Sequence, residues 1–458
     1  MQEKLTEISS LKFRRIFPWI QLFRVFGIAI DIRKICLAAV GLMTLTCGNQ
    51  LMSYFPFAPD EKPPSPWETD LGYDMGSTGS TNILKSAGGI LDQPASTISR
   101  ALTNWSLILR PVKDLIEPAI VLFHAKRGEN PWSEVAYAWT RLLWGLCVWS
   151  IFGGAICRMA AVQFARDERI GMQAALAFAG KRFLSYLSAP LLPLAGIGAL
   201  WLICLLGGFV GRIEFVGGIV VSVAFIFPLL FGFIMMLMVI GVAGGWPLMF
   251  ATISVEGSDG FDGLSRSYSY IYDRPWYYAW LIVLTMMYSS VAIFFVWFAT
   301  ALMVHLAIWS ITTGMGPDRT AAILHAVPTL FGGSSVVDAD AAVSYEGSAI
   351  VGYWLYAVSL LLVGFVYSFF WTSATVIYFL LRHSDDAIEL DEVYLPPEKA
   401  RDELLAMITD DDSDSRVAPD AADGEQAAEA EDPPESKPKG DEDQEVTDNS
   451  SKSEDGPS

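Results

Sequence analysis

Six stretches of this sequence stay apolar for eighteen residues or more: 35–55, 142–162, 184–210, 215–244, 277–309 and 349–381. Each is long enough to cross a hydrocarbon core of about 30 Å as a helix. Inside that core a backbone has no water to bond with, so a crossing segment must close its own hydrogen bonds. The expected fold is therefore all-α: a polytopic membrane helix bundle of about six transmembrane helices.

The charge pattern sets the rest of the organisation. The net charge of −19 is concentrated at one end, where residues 400–458 hold 20 acidic and 5 basic side chains. The remainder is close to neutral, so the acidity describes a tail and not a substrate preference of the membrane part. Residues 410–458 carry no aromatic side chain and many Asp, Glu, Ser and Pro, which predicts a disordered acidic tail. A juxtamembrane segment, 383–409, precedes it, with Pro397 placed to open a short helix. No nucleic-acid partner is predicted.

Residues 1–34 form a basic arm with seven Lys or Arg, among them Arg24, Arg33 and Lys34. The first span, 35–55, follows. A secretory signal is the competing interpretation, but the charged lead is long and no small-residue cleavage site stands out. An external loop, 56–141, begins rich in Pro, Gly, Ser and Thr. It then places Val112, Leu115, Ile116, Ala119 and Phe123 at helical spacing opposite Lys113, Asp114 and Glu117. That pattern predicts a helix on the outer membrane surface, bent at Pro118. A five-helix membrane domain, 142–382, completes the bundle, with cytoplasmic hinges at 163–183 and 245–276. Arg141 and Arg158 are expected to snorkel to the interfaces at the ends of the second span. Pro228 is expected to kink the fourth. Arg166, Arg169, Lys181, Arg182, Arg266, Arg274 and Arg382 fall on one side of the membrane, against Arg212 and Arg319 in the short segments opposite. The positive-inside rule puts both termini in the cytoplasm of a cell whose inner membrane holds the protein.

The two hinges are built alike. Each follows an inward-running span, has a glycine before an amphipathic run (Gly171, Gly260), and ends on a basic residue before the next span (Arg182, Arg274). Met172, Ala175, Leu176, Ala179 and Phe183 share one face in the first. Phe261, Leu264, Tyr268, Ile271 and Tyr272 do so in the second, opposite Asp262, Arg266, Ser269 and Asp273. Both are predicted to be interfacial helices, with Ser258 or Asp259 capping the second and Pro275 stopping it. Arg182, Arg266 and Arg274 are the candidate contacts to lipid headgroups. Asp262 and Arg266, four apart, form the expected surface pair. A repeat of span, surface helix and span has precedent in transporters, and duplication stands beside independent origin.

The string from Gly245 to Trp276 combines a Pro-containing span end, Glu-Gly, Ser-Arg-Ser-Tyr and Arg-Pro before another span. It resembles the hinge of a group of uncharacterised bacterial polytopic membrane proteins. More distantly it is similar to the membrane domain found beside some glycerophosphodiester phosphodiesterases. The likeness extends over about residues 180–330 and implies a helical membrane fold of unknown function. With no phosphodiesterase domain in the sequence, that activity does not transfer.

Motifs for chemistry are missing. Gly180-Lys181 lacks the earlier glycine of a phosphate loop, and neither Gly76-Ser77 nor Gly257-Ser258 completes a nucleophile elbow. His124, His305, His325 and His383 are scattered, and only His305 lies in a span. All five cysteines sit in apolar segments as small buried hydrophobes. No catalytic, cofactor or metal residues are assigned. Asp70, Asp74, His124 and Arg127 are the only candidates for an enzyme acting on lipids from the outer loop. Apart from His305 no ionisable group falls well within a span, which speaks against a proton-coupled carrier. The expected function is that of a non-enzymatic protein of membrane organisation or a subunit of a membrane complex. Its partners are the bilayer and proteins met through the hinge and tail. The alternative is a transporter or permease component for a small or lipid-like solute.

Topology is directly testable in a chain stripped of its native cysteines. Ser80→Cys should react with an impermeant thiol reagent on intact cells, and Asp262→Cys only after permeabilisation. The opposite pattern would invert the orientation.

Overall fold

The computed structural model describes residues 17–55, 95, 99, 102, 103, 105–124, 131–214, 216–320, 323 and 348–395. The tail 410–458, the start of the arm and most of the stretches 56–130 and 321–347, expected as external loops, lie outside them. Among the described residues the protein is helical, with no strand. A 3-10 turn over Pro18–Arg24 and a short turn of helix lead to α1 (Ile32–Met52). Then come α2 (Arg110–His124), α3 (Pro131–Arg166), α4 (Met172–Lys181), α5 (Phe183–Val210), α6 (Val216–Val223), α7 (Ile226–Glu256), α8 (Gly260–Asp273), α9 (Pro275–Met315) and α10 (Ser348–Asp385). Six of these, α1, α3, α5, α7, α9 and α10, are long and apolar enough to cross a membrane. The protein is an all-α, multi-pass membrane bundle.

Burial divides the spans. In α3 and α10, 83% of the most apolar window is inside the bundle, against 22% in α5 and 28% in α9. The central pair interlocks through rings and a small residue. Trp149 stacks on Tyr367 with centroids 4.8 Å apart. Gly153 lies under Trp371, where a Cβ would come within 2.7 Å of the indole. Gly364 of α10 meets the backbone of α1, its missing Cβ 2.8 Å from the Ile35 carbonyl oxygen. Small residues permit such close approach between membrane helices, where hydrophobicity alone gives little preference for protein over lipid. Trp246 and Phe250 of α7 and Tyr186 of α5 extend the ring cluster, with Phe250 4.9 Å from Trp371 and 5.2 Å from Tyr186. Away from this core, α5, α6 and the first half of α7 turn Trp201, Leu206, Phe227 and Phe233 outward. A lipid-facing surface requires that.

Several boundaries and environments differ from expectation. The fourth span does not end at 244; α7 continues as helix to Glu256, so much of the second hinge is its last three turns. The break expected at Pro228 falls just before it, between α6 and α7. Pro228 has no N–H for the Ala224 carbonyl, which accepts from Phe227 N at 3.0 Å instead.

Pro118 sits inside α2 without ending it. That helix is docked on the bundle: Leu115 is buried with Leu37, Leu42 and Trp149, and the Tyr367 hydroxyl donates to Asp114. Burial pushes the Asp114 carboxyl above its ordinary range, against the pull of Arg110.

Arg158 does not snorkel, because the residue is only 4% exposed and lies inside the bundle. Lys34, assigned to a basic arm, is fully buried near the start of α1. Its Nζ donates to Ile28 O at 2.8 Å and Gln163 Oε1 at 2.6 Å. Of the cysteines only Cys157 is buried, and Cys47 is exposed.

Candidate functional site

The end of α7 gathers most of the protein's described buried charge. A helix leaves its last four carbonyls without partners in the helix itself, and they carry the negative end of its dipole. Here that end is inside the protein, with Ser254 and Val255 fully buried. Arg158 of α3 donates from Nη1 to Ser254 O at 2.9 Å. The Val255 carbonyl accepts from Tyr394 N at 2.8 Å. Arg182, between α4 and α5, donates to Ser258 O at 3.1 Å. Gly257 closes α7 in the left-handed region, φ 64°, and returns its N–H to Ile253 O. Glycine suits this position twice over, because a Cβ would also lie 2.7 Å from the Tyr394 ring.

Tyr394 belongs to the chain after α10, which folds back under the bundle. Arg382 donates to Glu392 O at 2.9 Å, and Arg158 Nη2 to Tyr394 O at 2.6 Å. The Arg158 guanidinium lies over Phe178, 4.5 Å from the centroid, and that of Arg182 over Tyr394 at 5.3 Å. Cation–π contact lets two guanidiniums share this small volume. One residue before the left-handed turn begins a second charged group. Glu256, with 10% of its side chain exposed, is 2.8 Å from Arg266 and 3.4 Å from Arg382. The Tyr378 hydroxyl donates to the same Glu256 Oε1 at 2.5 Å. The neighbouring Tyr270 donates to Asp386. Burial and that carboxylate raise the Tyr270 phenol, which keeps it a donor.

α8 is the other wall. Asp259, and not Ser258, caps it, accepting from Asp262 N at 2.9 Å. From there α8 runs back along α7: Gly263 faces Ile253, Ile271 faces Gly245, and Tyr268 donates to Met238 O. Its buried face is Gly260, Gly263, Ser267, Tyr270 and Ile271. The expected apolar stripe is split, since Phe261 is 68% exposed while Leu264 and Tyr268 pack against the core. α4 repeats the arrangement on α3, burying Ala175 and Ala179. Both helices therefore use small side chains to dock beside the span that precedes them.

The candidate headgroup contacts are thus held by protein groups. Arg182 and Arg266 meet at the end of α7. Arg274 lies elsewhere, 3.1 Å from Asp385 and 2.8 Å from Ser384 Oγ. Sequence reasoning missed Arg158, Glu256, Tyr378, Arg382 and Tyr394. Arg158 had a signal, a cation inside an apolar run; Tyr394 had none. Asp70, Asp74 and Arg127 lie outside the described residues, and of His124 only its place at the end of α2 is described. His383 bonds Ile388 O, and His305 is half-buried in α9. Among the described residues no cluster of His, Cys, Asp and Glu could hold a metal.

What the arrangement can do chemically is fasten five segments of chain to one helix end. Compared with known protein families, curated proteins and solved structures, the chain matches none of them.

Removing Arg158 should expose its importance. Arg158→Met keeps an unbranched apolar stem but leaves one buried and one half-buried carbonyl without donors, each such bond to a charged group contributing roughly 1.5–3 kcal/mol. Thermal unfolding in detergent should shift down by several degrees or the protein should aggregate, while Arg212→Met at an exposed turn should be neutral. Equal stability of both variants would contradict the assignment.

Proposed function

We propose that this chain is a non-enzymatic protein of the inner (cytoplasmic) membrane, with both termini in the cytoplasm. It acts in membrane organisation or as a subunit of a membrane complex. The supporting observation is the fate of the hinge cations. Arg182, Arg266 and Arg274, the groups best placed to serve a substrate, are engaged by Ser258, Glu256 and Asp385 of the same chain. A region tied up in this way serves as a platform. Next to it α8 presents Phe261, Asp262, Ser265 and Ser269 outward, a mixed surface suited to a protein partner. The acidic tail supplies a second contact for a basic partner. Kinship with the uncharacterised bacterial polytopic proteins noted above belongs to this proposal, as does a bilayer-facing role for Arg266 and Arg274, whose side chains stay 40% and 47% exposed.

The carrier alternative draws on a different observation, an apolar cavity between α7, α9 and α10. It favours a lipid-like solute over a polar one.

Affinity capture from native membranes tests the leading proposal. The full chain should retain specific proteins that are lost both from a chain ending at residue 409 and from a Phe261→Asp variant in the hinge. Retention of the same background set by all three would refute the complex-subunit role.

A further inference from the structure

The cavity between α7, α9 and α10 holds about 260 Å³. Its shape follows from the spacing of its lining. On α9 it is lined by Tyr278, Ile282, Thr285, Met286, Ser289 and Ile293, a single helical face. At 1.5 Å per residue that face is about 22 Å long. On α10 the lining runs from Val366 to Ile377, about 16 Å by the same rise. Ile108 and Val112 border it from the α2 side, and Ala243 and Leu248 from α7. A small volume drawn out over that length is a narrow slot along the helices. One leaflet of a hydrocarbon core is about 15 Å deep, half of the roughly 30 Å total.

The hydroxyls in the slot are already committed. Tyr278 donates to Gly244 O at 2.6 Å, Thr285 to Leu281 O at 2.7 Å, Ser289 to Met286 O at 2.8 Å and Ser373 to Phe369 O at 2.5 Å. None needs a ligand, so a polar solute would lose its water and recover no donor from them. Trp246 adds part of its ring to the lining and no accessible polar atom.

We infer that the slot is a binding site for one acyl chain of a membrane lipid. The length, the narrowness and the closed hydroxyls select a single extended chain. A bulky polar solute fails on both width and hydrogen bonding. Such a chain would fill the gap between α9 and the central helices, which otherwise meet less closely than α3 and α10 do. The site is independent of the partner-binding role proposed above, since it needs neither α8 nor the tail.

The test uses the full-length protein in nanodiscs containing a phospholipid with a diazirine on one acyl chain. After photolysis and digestion, labelled peptides should fall preferentially on 278–293 and 366–377, with few on the outward faces of α5 and α6. Delipidated protein should regain one lipid per chain in native mass spectrometry. Ala374→Phe, which projects a ring into the slot, should lose that lipid and the labelling, whereas Val223→Phe on the outer surface should keep both. Labelling spread evenly over every lipid-facing helix overturns the inference, as does full lipid retention by Ala374→Phe. Should Ala374→Phe fail to fold, the labelling map of the unaltered protein decides. Preferential retention of a detergent or a sterol over the phospholipid also counts against it.

Discussion

A buried helix terminus is the constraint from which much of this structure follows. α7 does not stop at the boundary of its apolar run but continues into the protein, so its final carbonyls have neither water nor further helix to bond with. Leaving such acceptors unpaired costs about 1–3 kcal/mol each. Arg158 and the Tyr394 backbone supply donors to Ser254 and Val255, and Arg182 holds the Ser258 carbonyl just past the turn; each comes from a different part of the chain. The dipole of α7 adds a preference for the two guanidiniums at this end. Those cations in turn require shielding, which Phe178 and Tyr394 provide. Meeting one helix end thus fixes the positions of α3, of α4 with α5, and of the segment after α10.

Packing in the core obeys a related rule. Spans that alternate in direction place α3, α7 and α10 in the same sense, and these three contribute Trp149, Trp246, Phe250, Tyr367 and Trp371 to one ring cluster. Rings of that size need small residues opposite them, as at Gly153. The other spans have fewer such contacts and keep apolar side chains toward lipid. Docking of α4 and α8 follows the same logic at shorter range, with Ala175 and Ala179 in one and Gly263 and Ser267 in the other. The slot lined by α9 is where ring and small residue do not interlock, and so where an apolar chain has room.

Much of the architecture could be read from the chain alone because length and hydropathy report on the membrane. All six spans were legible, as were a cap at Ser258 or Asp259, which the structure assigns to Asp259, and an interruption near Pro228. The hinge was legible as a capped surface helix but not as one docked along an extended α7, since periodicity shows that a helix has two faces without showing which meets protein. That is why Gly263 and Ser267, outside the expected apolar stripe, lie on the buried face. Arg158 and Lys34 went astray for a similar reason. Long cations near span ends usually reach water, and only packing reveals the carbonyls that hold them inside. Tyr394, in a stretch of ordinary polar sequence, carried no mark of its role.

Hydrogen exchange across α7 tests the central claim most directly. It should be followed in the full chain, in a chain ending at residue 395 and in one ending at residue 385. If the segment after α10 fastens the end of α7, amides in 246–259 should be equally protected in the first two and exchange at least tenfold faster in the third. Equal protection in all three would mean that the helix end is held without Tyr394, and would contradict this account.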